Sequence, residues 1–410
     1  MNNPSFNQRT GRRKFISQAG MGIAALTIAP RVTFAADQVI ARKIRIGIVG
    51  GRFGAGFEFH EHPDCIVEAV SDLRPERRKR LMEVYKCSKS YESLDKLLLD
   101  PKIEAVFIAT PAPDHVNHSV ATLKAGKHVL SAVPAAVTLE ECYKLKDAVL
   151  SSGLTYMMAE TSNYMQNTIS VRKFYKEGLF GNIFSAAAEY NHPGLESLWF
   201  ENGKPTWRHG MPPLLYPTHC TSFLTSVTGE RLTHVSGLGW GDDSPYLKNN
   251  PYNNPFWNGT AFFKTNKGNP FRVEVNWKGA LINTVRAEWR GDKMSFISGA
   301  GEGGDEHTIV KLADRIGSDD AGFQYKSNII ETYKQPKWWK TDMLPEPLRH
   351  NSGHDGSHTF ITHEFIDSLV NKRRPEIDIY ESLAYTAPGI VAHESALRNG
   401  EYMSIPDFDN

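Results

Sequence analysis

The sequence predicts an α/β protein made of an N-terminal doubly wound parallel sheet and a C-terminal α+β domain with an open, mostly antiparallel sheet. Three observations support this fold class. β-Branched or apolar runs at 43–49, 65–71 and 103–110 are typical of strands buried on both faces of a parallel sheet. A glycine cluster directly follows the first run. From residue 183 onward, short alternating strand-like runs indicate antiparallel strands with one solvated face.

The glycine cluster at 50–54 (GGRFG) is the motif on which the first domain depends. A strand, a glycine turn, a helix and a second strand ending in an acid, here Asp72, form the layout of a Rossmann unit. There the backbone turns under a pyrophosphate at a helix N-terminus, and the acid accepts from a ribose hydroxyl. The match to the G-x-G-x-x-G fingerprint is imperfect. If Gly50 is its first glycine, Arg52 and Ala55 occupy the positions of the second and third glycines. An ordinary strand-to-helix turn is the alternative interpretation.

Further cofactor contacts are predicted at the carboxyl ends of the later strands, where ligands of open α/β sheets lie. These are the loop TPAPDH at 110–115 and the turn AVPAA at 132–136. Asp72 favours NAD because its carboxylate would repel a 2′-phosphate, whereas Arg74 could hold that phosphate, so NADP stays open. The predicted cofactor-binding residues are Gly50, Gly51, Arg52, Phe53, Gly54, Asp72, Arg74, Thr110, His115 and Pro134.

Composition and charge restrict the function classes. A length of 410 residues suggests two or three domains. The 40% hydrophobic content and the net charge of +1 describe a globular protein, without a block of like charge for nucleic acid or a membrane surface. The four cysteines have no metal-site spacing and are interpreted as buried thiols.

The first 36 residues have the layout of an export signal. Paired arginines, an apolar run at 19–29 and a small-residue end predict a twin-arginine signal peptide and hence a periplasmic protein; a cytoplasmic protein with a basic tail is the alternative. The run is too short for a membrane span. A periplasm offers no obvious supply of free dinucleotide, so we expect a tightly held cofactor, regenerated by the reaction or by an external electron acceptor. The segment lacks acids, and its basic residues are Arg9, Arg12, Arg13, Lys14 and Arg31.

The predicted domains are 37–160 for the dinucleotide-binding part and 161–410 for the substrate part. Tyr164 lies where the chain leaves the first domain, and a helix predicted after Pro217 places Tyr216 and His219 at its start. A helix N-terminus favours the neutral imidazole, which can accept a proton from a hydroxyl that Tyr216 could also bind. The alternatives are a histidine in a capping contact and packed tyrosines.

The order of the glycine turn, Asp72, IATP at 108–111, AGKHVL at 125–130 and TLEE at 138–141 resembles the Gfo/Idh/MocA family of oxidoreductases. The resemblance covers nearly all of the chain after the signal. It implies an NAD(P)-dependent enzyme acting on a sugar or polyol, with a C-terminal sheet that faces the nicotinamide and usually supports a homo-oligomer.

One departure points to a branch of that family. Its dehydrogenases usually carry Glu-Lys-Pro where this chain has Ala132-Val133-Pro134, so the lysine credited with handling the hydroxyl proton is missing. The branch containing the NAD-dependent glycosidases of glycoside hydrolase family 109 lacks that lysine. It resembles this chain in LYPTH at 215–219 and in GHDG at 353–356. A further tyrosine of that branch has no counterpart in RAEWR at 286–290.

The resemblance implies that a hydroxyl of a sugar or glycoside, at C3, is oxidised while His219, helped by Tyr216, takes its proton. In the glycosidase alternative, Tyr164 then acts as a base in elimination before hydration and re-reduction. A non-catalytic sugar-binding protein is the second alternative. Trp207, Arg208 and His354 are candidate substrate residues. Surface packing or a subunit contact is the alternative for Trp207 and Arg208, which lie in a loop. The spacing of His354 and His358 would suit a metal, but no ligand set completes it, so none is predicted.

Overall fold

The computed structural model describes residues 42–299 and 304–409. The predicted signal peptide at 1–36 lies outside these residues. Within them, no helix combines the length and the apolar character needed to cross a membrane. Cys65, Cys87, Cys142 and Cys220 are buried free thiols, as the scattered spacing indicates.

The first part of the chain forms a six-stranded parallel sheet in the order β3-β2-β1-β4-β5-β6. This is the strand order of a dinucleotide-binding doubly wound sheet, and it confirms the predicted fold class. Continuous apolar residues form the central strands because both faces are covered. The strands are β1 (Ile44–Val49), β2 (Cys65–Ser71), β3 (Ser90–Tyr91), β4 (Ala105–Ile108), β5 (His128–Ser131) and β6 (Tyr156–Met158).

Four helices connect these strands, and local sequence signals set their ends. Pro75 occupies the first position of α1, where a missing amide costs nothing. The Thr138 hydroxyl accepts from the Glu141 amide at 3.2 Å, as in a capping box, and this bond fixes the start of α4. The helices are α1 (Pro75–Val84), α2 (Leu94–Leu98), α3 (His115–Lys124) and α4 (Leu139–Ser152).

The second part forms a nine-stranded sheet in the order β16-β15-β14-β13-β7-β12-β11-β10-β17. All of its neighbouring strands run antiparallel except β7 and β12. A separate two-stranded hairpin, β8–β9, precedes α6. The bounds are β7 (Ile183–Asn191), β8 (Phe200–Glu201), β9 (Lys204–Pro205), β10 (Leu232–Trp240), β11 (Asn258–Thr265), β12 (Pro270–Asn276), β13 (Thr284–Gly291), β14 (Met294–Ile297), β15 (Glu306–Ser318), β16 (Gln324–Lys334) and β17 (Met403–Ser404).

Four helices accompany this sheet, namely α5 (Gln166–Lys176), α6 (Thr218–Thr228), α7 (Gly353–Val370) and α8 (Ile379–Leu397). Pro217 is the N-cap of α6, so the predicted helix begins one residue later than its proline. Asp378 caps α8 by accepting from the amides of Tyr380 and Glu381.

The expected helix between β1 and β2 is absent, and this part of the prediction is wrong. Only fifteen residues separate the two strands, and the glycines among them disfavour a helix. Glu58 adopts a left-handed conformation (φ 51°), and Pro63 cannot donate an amide. The connection instead contains two single-turn 3-10 helices, Phe53–Ala55 and Phe59–Glu61.

Helix α7 of the second part packs on this short connection. The Phe57 ring stacks on the His358 ring with centroids 4.2 Å apart, and the Thr362 hydroxyl donates to the Phe57 carbonyl. Phe360 and Phe365 belong to the same hydrophobic core as the β1 and β4 residues. The first sheet therefore receives part of its packing from the C-terminal half of the chain.

We expect Glu58→Gln to stabilise the protein above pH 7. Burial raises the pKa of Glu58 to about 7, because it disfavours the charged form. A raised carboxyl pKa contributes stability that is complete below the ordinary value of 4.5 and is lost as the pH rises through 7. Discounted for partial exposure, the gain in the free energy of unfolding is about 2 kcal/mol at pH 8. It almost disappears at pH 4.5.

Chemical denaturation of both proteins at pH 4.5 and pH 8 measures this difference. Glu76→Gln, an exposed change in the first turn of α1, is the control and should leave stability nearly unchanged at both pH values. A gain of equal size at both pH values would show that removal of the charge is not its cause.

Candidate functional site

The carboxyl ends of β1 and β4 lie side by side at the point where the strand order reverses. Val49 pairs with Ile108, so the glycine turn after β1 meets the loop that begins at Thr110. Ligands of open α/β sheets bind at this switch point. The fold therefore brings the predicted cofactor residues of the first, fourth and fifth strands to one edge.

The backbone of the glycine turn leaves no room for side chains. Gly50 has φ +106°, and a Cβ there would lie 2.2 Å from the Ala109 carbonyl oxygen. A Cβ on Gly51 would lie 2.8 Å from the Arg77 carbonyl oxygen, and one on Gly54 would lie 3.1 Å from the Ala109 Cβ. This close approach of bare backbone fits a dinucleotide, although the helix whose N-terminus usually meets the pyrophosphate is missing.

Asp72, at the end of β2, holds the turn in place. Its carboxylate accepts from the Gly51 amide at 2.7 Å and from the Arg74 amide at 2.8 Å. The structure therefore joins three predicted cofactor residues by backbone hydrogen bonds. A carboxylate can accept further bonds, so ribose hydroxyls are still suitable partners for Asp72.

Three guanidinium groups converge beside this turn on one carboxylate, that of Glu201 in the β8–β9 hairpin. Arg74 lies 2.5 Å, Arg77 3.5 Å and Arg52 3.6 Å from the Glu201 oxygens. Arg52 and Arg74 are among the cofactor-binding residues predicted from the sequence, whereas Arg77 and Glu201 are not. The cluster carries an excess of positive charge beside the cofactor edge.

His115 contacts the cofactor loops through their backbone. Its Nδ1 lies 2.7 Å from the Pro134 carbonyl oxygen, and its Nε2 lies 2.9 Å from that of Thr110. The ring is buried, and burial lowers its pKa. His115 therefore braces the loop after β4 against the turn after β5. In that turn Val133 is buried and the Val133–Pro134 peptide is cis.

The second part of the site is a cleft between the end of the first sheet and the nine-stranded sheet. His219, in the first turn of α6, and His354, at the start of α7, both line it. The cleft residues are Thr161, Met165, Tyr190, His192, His219, Asn283, Val285 and His354.

A buried ion pair orients His219. The His219 Nδ1 lies 2.7 Å from Oε1 of Glu160, which also accepts from the Ser162 amide at 2.9 Å. Burial raises the pKa of Glu160, but the charge and hydrogen bond of His219 and the Ser162 amide outweigh it, so the pKa lies below the ordinary value. An ionised Glu160 requires the proton on Nδ1, which makes Nε2 of the neutral ring a proton acceptor.

The cleft also contains buried polar atoms that the protein itself does not satisfy. Among the described residues, Thr161 Oγ1 and His192 Nδ1 have no hydrogen-bond partner. Buried polar groups are normally paired, so such atoms in a cleft indicate a polar ligand or water. Both fit a substrate with several hydroxyl groups.

Tyr216 is packed beside His219 with ring centroids 5.5 Å apart, and also contacts Tyr190 and Trp277. Burial raises the pKa of Tyr216, and the nearby Arg208 guanidinium opposes this. Arg208 itself lies over the Trp207 ring at 4.1 Å. The three predicted residues thus form one group next to the cleft without lining it.

Tyr164 lies in the core rather than at the cleft. Its ring is parallel to that of Phe360, with centroids 6.4 Å apart, and Arg172 lies 5.7 Å from the ring centre. Burial raises the pKa of Tyr164 well above its ordinary value. The structure does not bring Tyr164 together with His219, His354 and the other cleft residues; its catalytic role stays a prediction.

Several residues of the cleft had no predicted role. Glu160 was not assigned to the site, although it follows a buried strand at the edge of the sheet where ligands of such folds bind. Tyr190, His192, Asn283 and Val285 come from β7 and the segment near β13, which only the tertiary structure brings to the cleft. Within the described residues, no group of three or more His, Cys, Asp or Glu side chains could hold a metal.

Two family models match the chain. A model described as the oxidoreductase family with an NAD-binding Rossmann fold matches residues 44–160. One described as the C-terminal domain of glycosyl hydrolase 109 matches residues 303–410. Both agree with the strand order and the cleft. The two matches support the resemblance of this chain to the Gfo/Idh/MocA oxidoreductase family, near glycoside hydrolase family 109.

Relatives with similar sequences also place this chain near glycoside hydrolase family 109. A glycosyl hydrolase family 109 protein from Streptomyces coelicolor is 25% identical over 94% of this chain and 89% of its own. One from Solibacter usitatus is 25% identical over 89% and 88%. These matches confirm the resemblance read from the sequence.

Solved structures of Gfo/Idh/MocA-type dehydrogenases share the fold. Levoglucosan dehydrogenase in complex with NADH and levoglucosan gives a TM-score of 0.72 at 19% identity, covering 89% of this chain and all of that one. Scyllo-inositol dehydrogenase from Lactobacillus casei, with bound NAD(H) and scyllo-inositol, gives 0.66 at 17% identity, covering 88% and 99%. At these identities the likeness is one of fold.

Proposed function

We propose that this protein oxidises a hydroxyl group, that at C3, of a sugar or glycoside with a tightly held nicotinamide dinucleotide. The observation that carries the proposal is the buried pair of Glu160 and His219 in a polar cleft. The pair lies where the last strand of the NAD-binding sheet joins the second domain. The fold supports NAD as the cofactor. The binding experiments described below compare NADH with NADPH and so decide between NAD and NADP.

The chain fits such a cofactor at the edge of the first sheet. Gly50, Gly51, Asp72, Thr110 and Pro134 would hold it, as their tight backbone and positions at the strand ends indicate. When bound, the nicotinamide supplies a hydride acceptor for the carbon that carries the hydroxyl.

His219 is the base for the hydroxyl proton. Its Nε2 accepts the proton, and the Glu160 carboxylate at Nδ1 stabilises the imidazolium that forms. The Glu160–His219 pair thus takes up the hydroxyl proton. Val133, which stands where related dehydrogenases carry a lysine, has no side-chain group that could do so. Tyr216 and Arg208, adjacent to His219, complete a polar wall next to the substrate.

A redox-cycling glycosidase is the second candidate function. It is favoured by the match of residues 303–410 to the glycosyl hydrolase 109 model and by relatives with that name. Here the oxidised sugar loses its C1 substituent by elimination, adds water and is reduced again. A non-catalytic sugar-binding protein is the third candidate.

The test uses mature protein purified without added cofactor and a panel of glycosides. Absorbance near 340 nm and product masses are followed together. A burst of reduced nicotinamide with a keto-sugar two mass units lighter supports the oxidoreductase, and an added electron acceptor should then sustain turnover. Release of free sugar without net reduction supports the glycosidase. A protein that binds glycosides but carries and binds no dinucleotide would contradict both.

We expect Glu201→Gln to tighten dinucleotide binding by roughly fivefold, a modest change because the charges involved are exposed. The Glu201 carboxylate competes with phosphate groups for Arg52, Arg74 and Arg77. Fluorescence titration with NADH and NADPH, at low and high salt, measures the change. A larger gain for NADPH would assign the arginines to the 2′-phosphate.

Glu177→Gln, an exposed change at the end of α5, is the matched control and should leave both affinities unchanged. Weaker dinucleotide binding by Glu201→Gln would instead show that the hairpin carboxylate helps to retain the cofactor.

Export and assembly are further parts of the proposal. We propose that the segment 1–36 directs the folded protein to the periplasm, and that the protein is a homo-oligomer. Replacing Arg12 and Arg13 with lysine should abolish export in cell fractionation, and light scattering of the mature protein measures its mass.

A further inference from the structure

Strand β16, at one edge of the nine-stranded sheet, differs from the other edge strands of the two large sheets. Those are β3 with 2 residues, β6 with 3 and β17 with 2, whereas β16 has 11. Folded proteins usually keep edge strands short or interrupt them with proline, because unpaired backbone groups attract another strand. The sequence of β16, QYKSNIIETYK, contains neither proline nor glycine. This edge is therefore open to strand pairing.

The backbone of β16 directs half of its hydrogen-bonding groups away from the sheet. The Gln335 amide donates to the Asp305 carbonyl at 3.0 Å, in register with the β15–β16 ladder. Bonded residues alternate along an antiparallel strand, so the odd-numbered residues of β16 bond to β15. The register shift between Leu312 and Ile316 leaves its extra residues on β15, so this alternation continues along β16. The even-numbered residues from 324 to 334 thus present their amides and carbonyls at the edge.

The side chains of β16 are also suited to a partner strand. Tyr325, Ile329 and Ile330 are 52%, 46% and 72% exposed. In the part of the chain that the structure describes, β15 is the sole strand that pairs with β16. A hairpin with so much apolar surface in water gains little stability from its own two strands. A further strand at this edge would remove part of that surface from water.

One register pairs β16 with a second copy of itself. Two antiparallel copies, related by a two-fold axis perpendicular to the sheet at Ile329, oppose Ile329 to its own copy. The same register opposes Tyr325 to Tyr333 twice, and no like charges face each other. The remaining opposed pairs are Gln324–Lys334, Lys326–Thr332, Ser327–Glu331 and Asn328–Ile330.

The neighbouring registers are less favourable. A shift by a single residue is excluded, because it would bring opposite faces of the two strands together. An axis at Ile330 would oppose Lys326 to Lys334, which places like charges directly across from each other. An axis at Asn328 would oppose Tyr325 to Glu331 and lose the aromatic pairs.

The opposed tyrosines would extend an aromatic cluster that each copy already has. The Tyr333 ring lies 5.2 Å from that of Phe174 and 5.8 Å from that of Phe296, measured between centroids. Its hydroxyl donates to the Ser170 hydroxyl at 3.2 Å, which holds the ring in place. The half-exposed Tyr325 ring of a second copy would pack beside this fixed ring. Aromatic pairs of this kind stabilise antiparallel strands.

We propose that β16 joins two copies of this chain edge to edge, with the two-fold axis at Ile329, so that their sheets form one continuous sheet. The inference gives the proposed homo-oligomer a defined interface, and it depends on neither the dinucleotide nor the sugar. The even-numbered residues of each β16 exchange backbone hydrogen bonds with the other. Because Gln324 lies opposite Lys334, the exposed tip residue Phe323 passes beside the base of the partner hairpin.

The test uses the mature protein with single cysteines introduced on β16. At a non-hydrogen-bonded antiparallel pair the Cα atoms are about 4.5 Å apart, a distance that a disulfide spans. We expect Ile329→Cys to give a disulfide-linked dimer on mild oxidation, seen as a doubled mass on a non-reducing gel. Thr332→Cys is the matched control; its two copies would lie six residues apart along the strands, about 20 Å, and should not link. The four native cysteines are buried and do not compete.

Ile329→Lys tests the strength of the same contact. It places two ammonium groups against each other at the axis, so we expect the dissociation constant of the dimer to rise about 100-fold or more in analytical ultracentrifugation. Phe262→Lys is the control, because Phe262 is 57% exposed on β11, away from this edge, and its mass should stay that of the wild type. Circular dichroism verifies that each variant is folded.

The outcomes separate this interface from the proposed function. A monomeric wild type, or equal cross-linking of Ile329→Cys and Thr332→Cys, would overturn the pairing of β16. A dimer that dissociates in Phe262→Lys but not in Ile329→Lys would also overturn it and assign the homo-oligomer to the face of the sheet. Absence of nicotinamide reduction with any glycoside would instead overturn the oxidation, while the cross-linking result would stand.

Discussion

Replacing His219 with glutamine is expected to slow nicotinamide reduction by about 1000-fold, within the range for loss of a general base. Glutamine can still donate a hydrogen bond to Glu160, so the buried carboxylate keeps a partner. It cannot accept the hydroxyl proton as imidazole does. Because His219 is 5% exposed and lies in the cleft rather than in the glycine turn, dinucleotide affinity should not change. Stopped-flow absorbance at 340 nm with a saturating glycoside measures the rate.

The control for this variant is His209→Gln. His209 is a buried histidine of the same domain whose Nε2 contacts the Tyr246 carbonyl at 3.0 Å, and it does not line the cleft. Its reduction rate should stay within about threefold of the wild type. If His219→Gln retained the wild-type rate with normal binding, another group would have to accept the proton.

Replacing Glu160 with glutamine is expected to slow the same step by about 100- to 1000-fold. The change removes the anion that fixes the Nδ1 proton and stabilises the imidazolium form of His219. It should also destabilise the fold at neutral pH, where loss of one partner of a buried pair costs about 3 kcal/mol. A lowered carboxyl pKa contributes stability that is present above 4.5 and is lost as the pH falls through the folded value. The stability difference should therefore shrink in acid.

Reduction rates and denaturation curves between pH 4 and pH 8 measure both effects. Glu189→Gln is the control, because it removes an ion pair with Arg286 (2.7 Å) that lies on another part of the second domain. A stability loss that grew toward acid pH would show that Glu160 is protonated in the folded protein.

The architecture could be predicted because it depends on patterns within short segments. Continuous apolar runs indicate the parallel strands, and the predicted runs at 43–49 and 65–71 coincide with β1 and β2 to within one residue. The hairpin β15–β16 was missed because β16 and the second half of β15 are largely exposed, so most of the hairpin shows no regular pattern of apolar residues. The helix expected after the glycine turn was inferred from a fold template, and the residues between β1 and β2 do not support it.

The site could be predicted only where a residue type and its local position define the chemistry. His219 at the start of a helix and Asp72 at the end of a strand are of this kind. Glu160 gains its role from His219, 59 residues away, and Glu201 from arginines more than 120 residues away. No pattern within a short segment of the sequence can predict contacts between residues so far apart in the chain. The displacement of Tyr164 into the core likewise follows from its packing on Phe360.

The short connection between β1 and β2 has a consequence for folding. Its aromatic residues are covered by α7, about 300 positions later in the chain, and Phe57 and Phe360 share one core. A fragment ending at residue 160 would expose the faces of Phe53 and Phe57 that pack on α7 and should aggregate rather than fold as an autonomous unit. The hydrophobic core around the first sheet is therefore complete only after the last helices have been synthesised. Calorimetry should accordingly give one cooperative transition for both sheets.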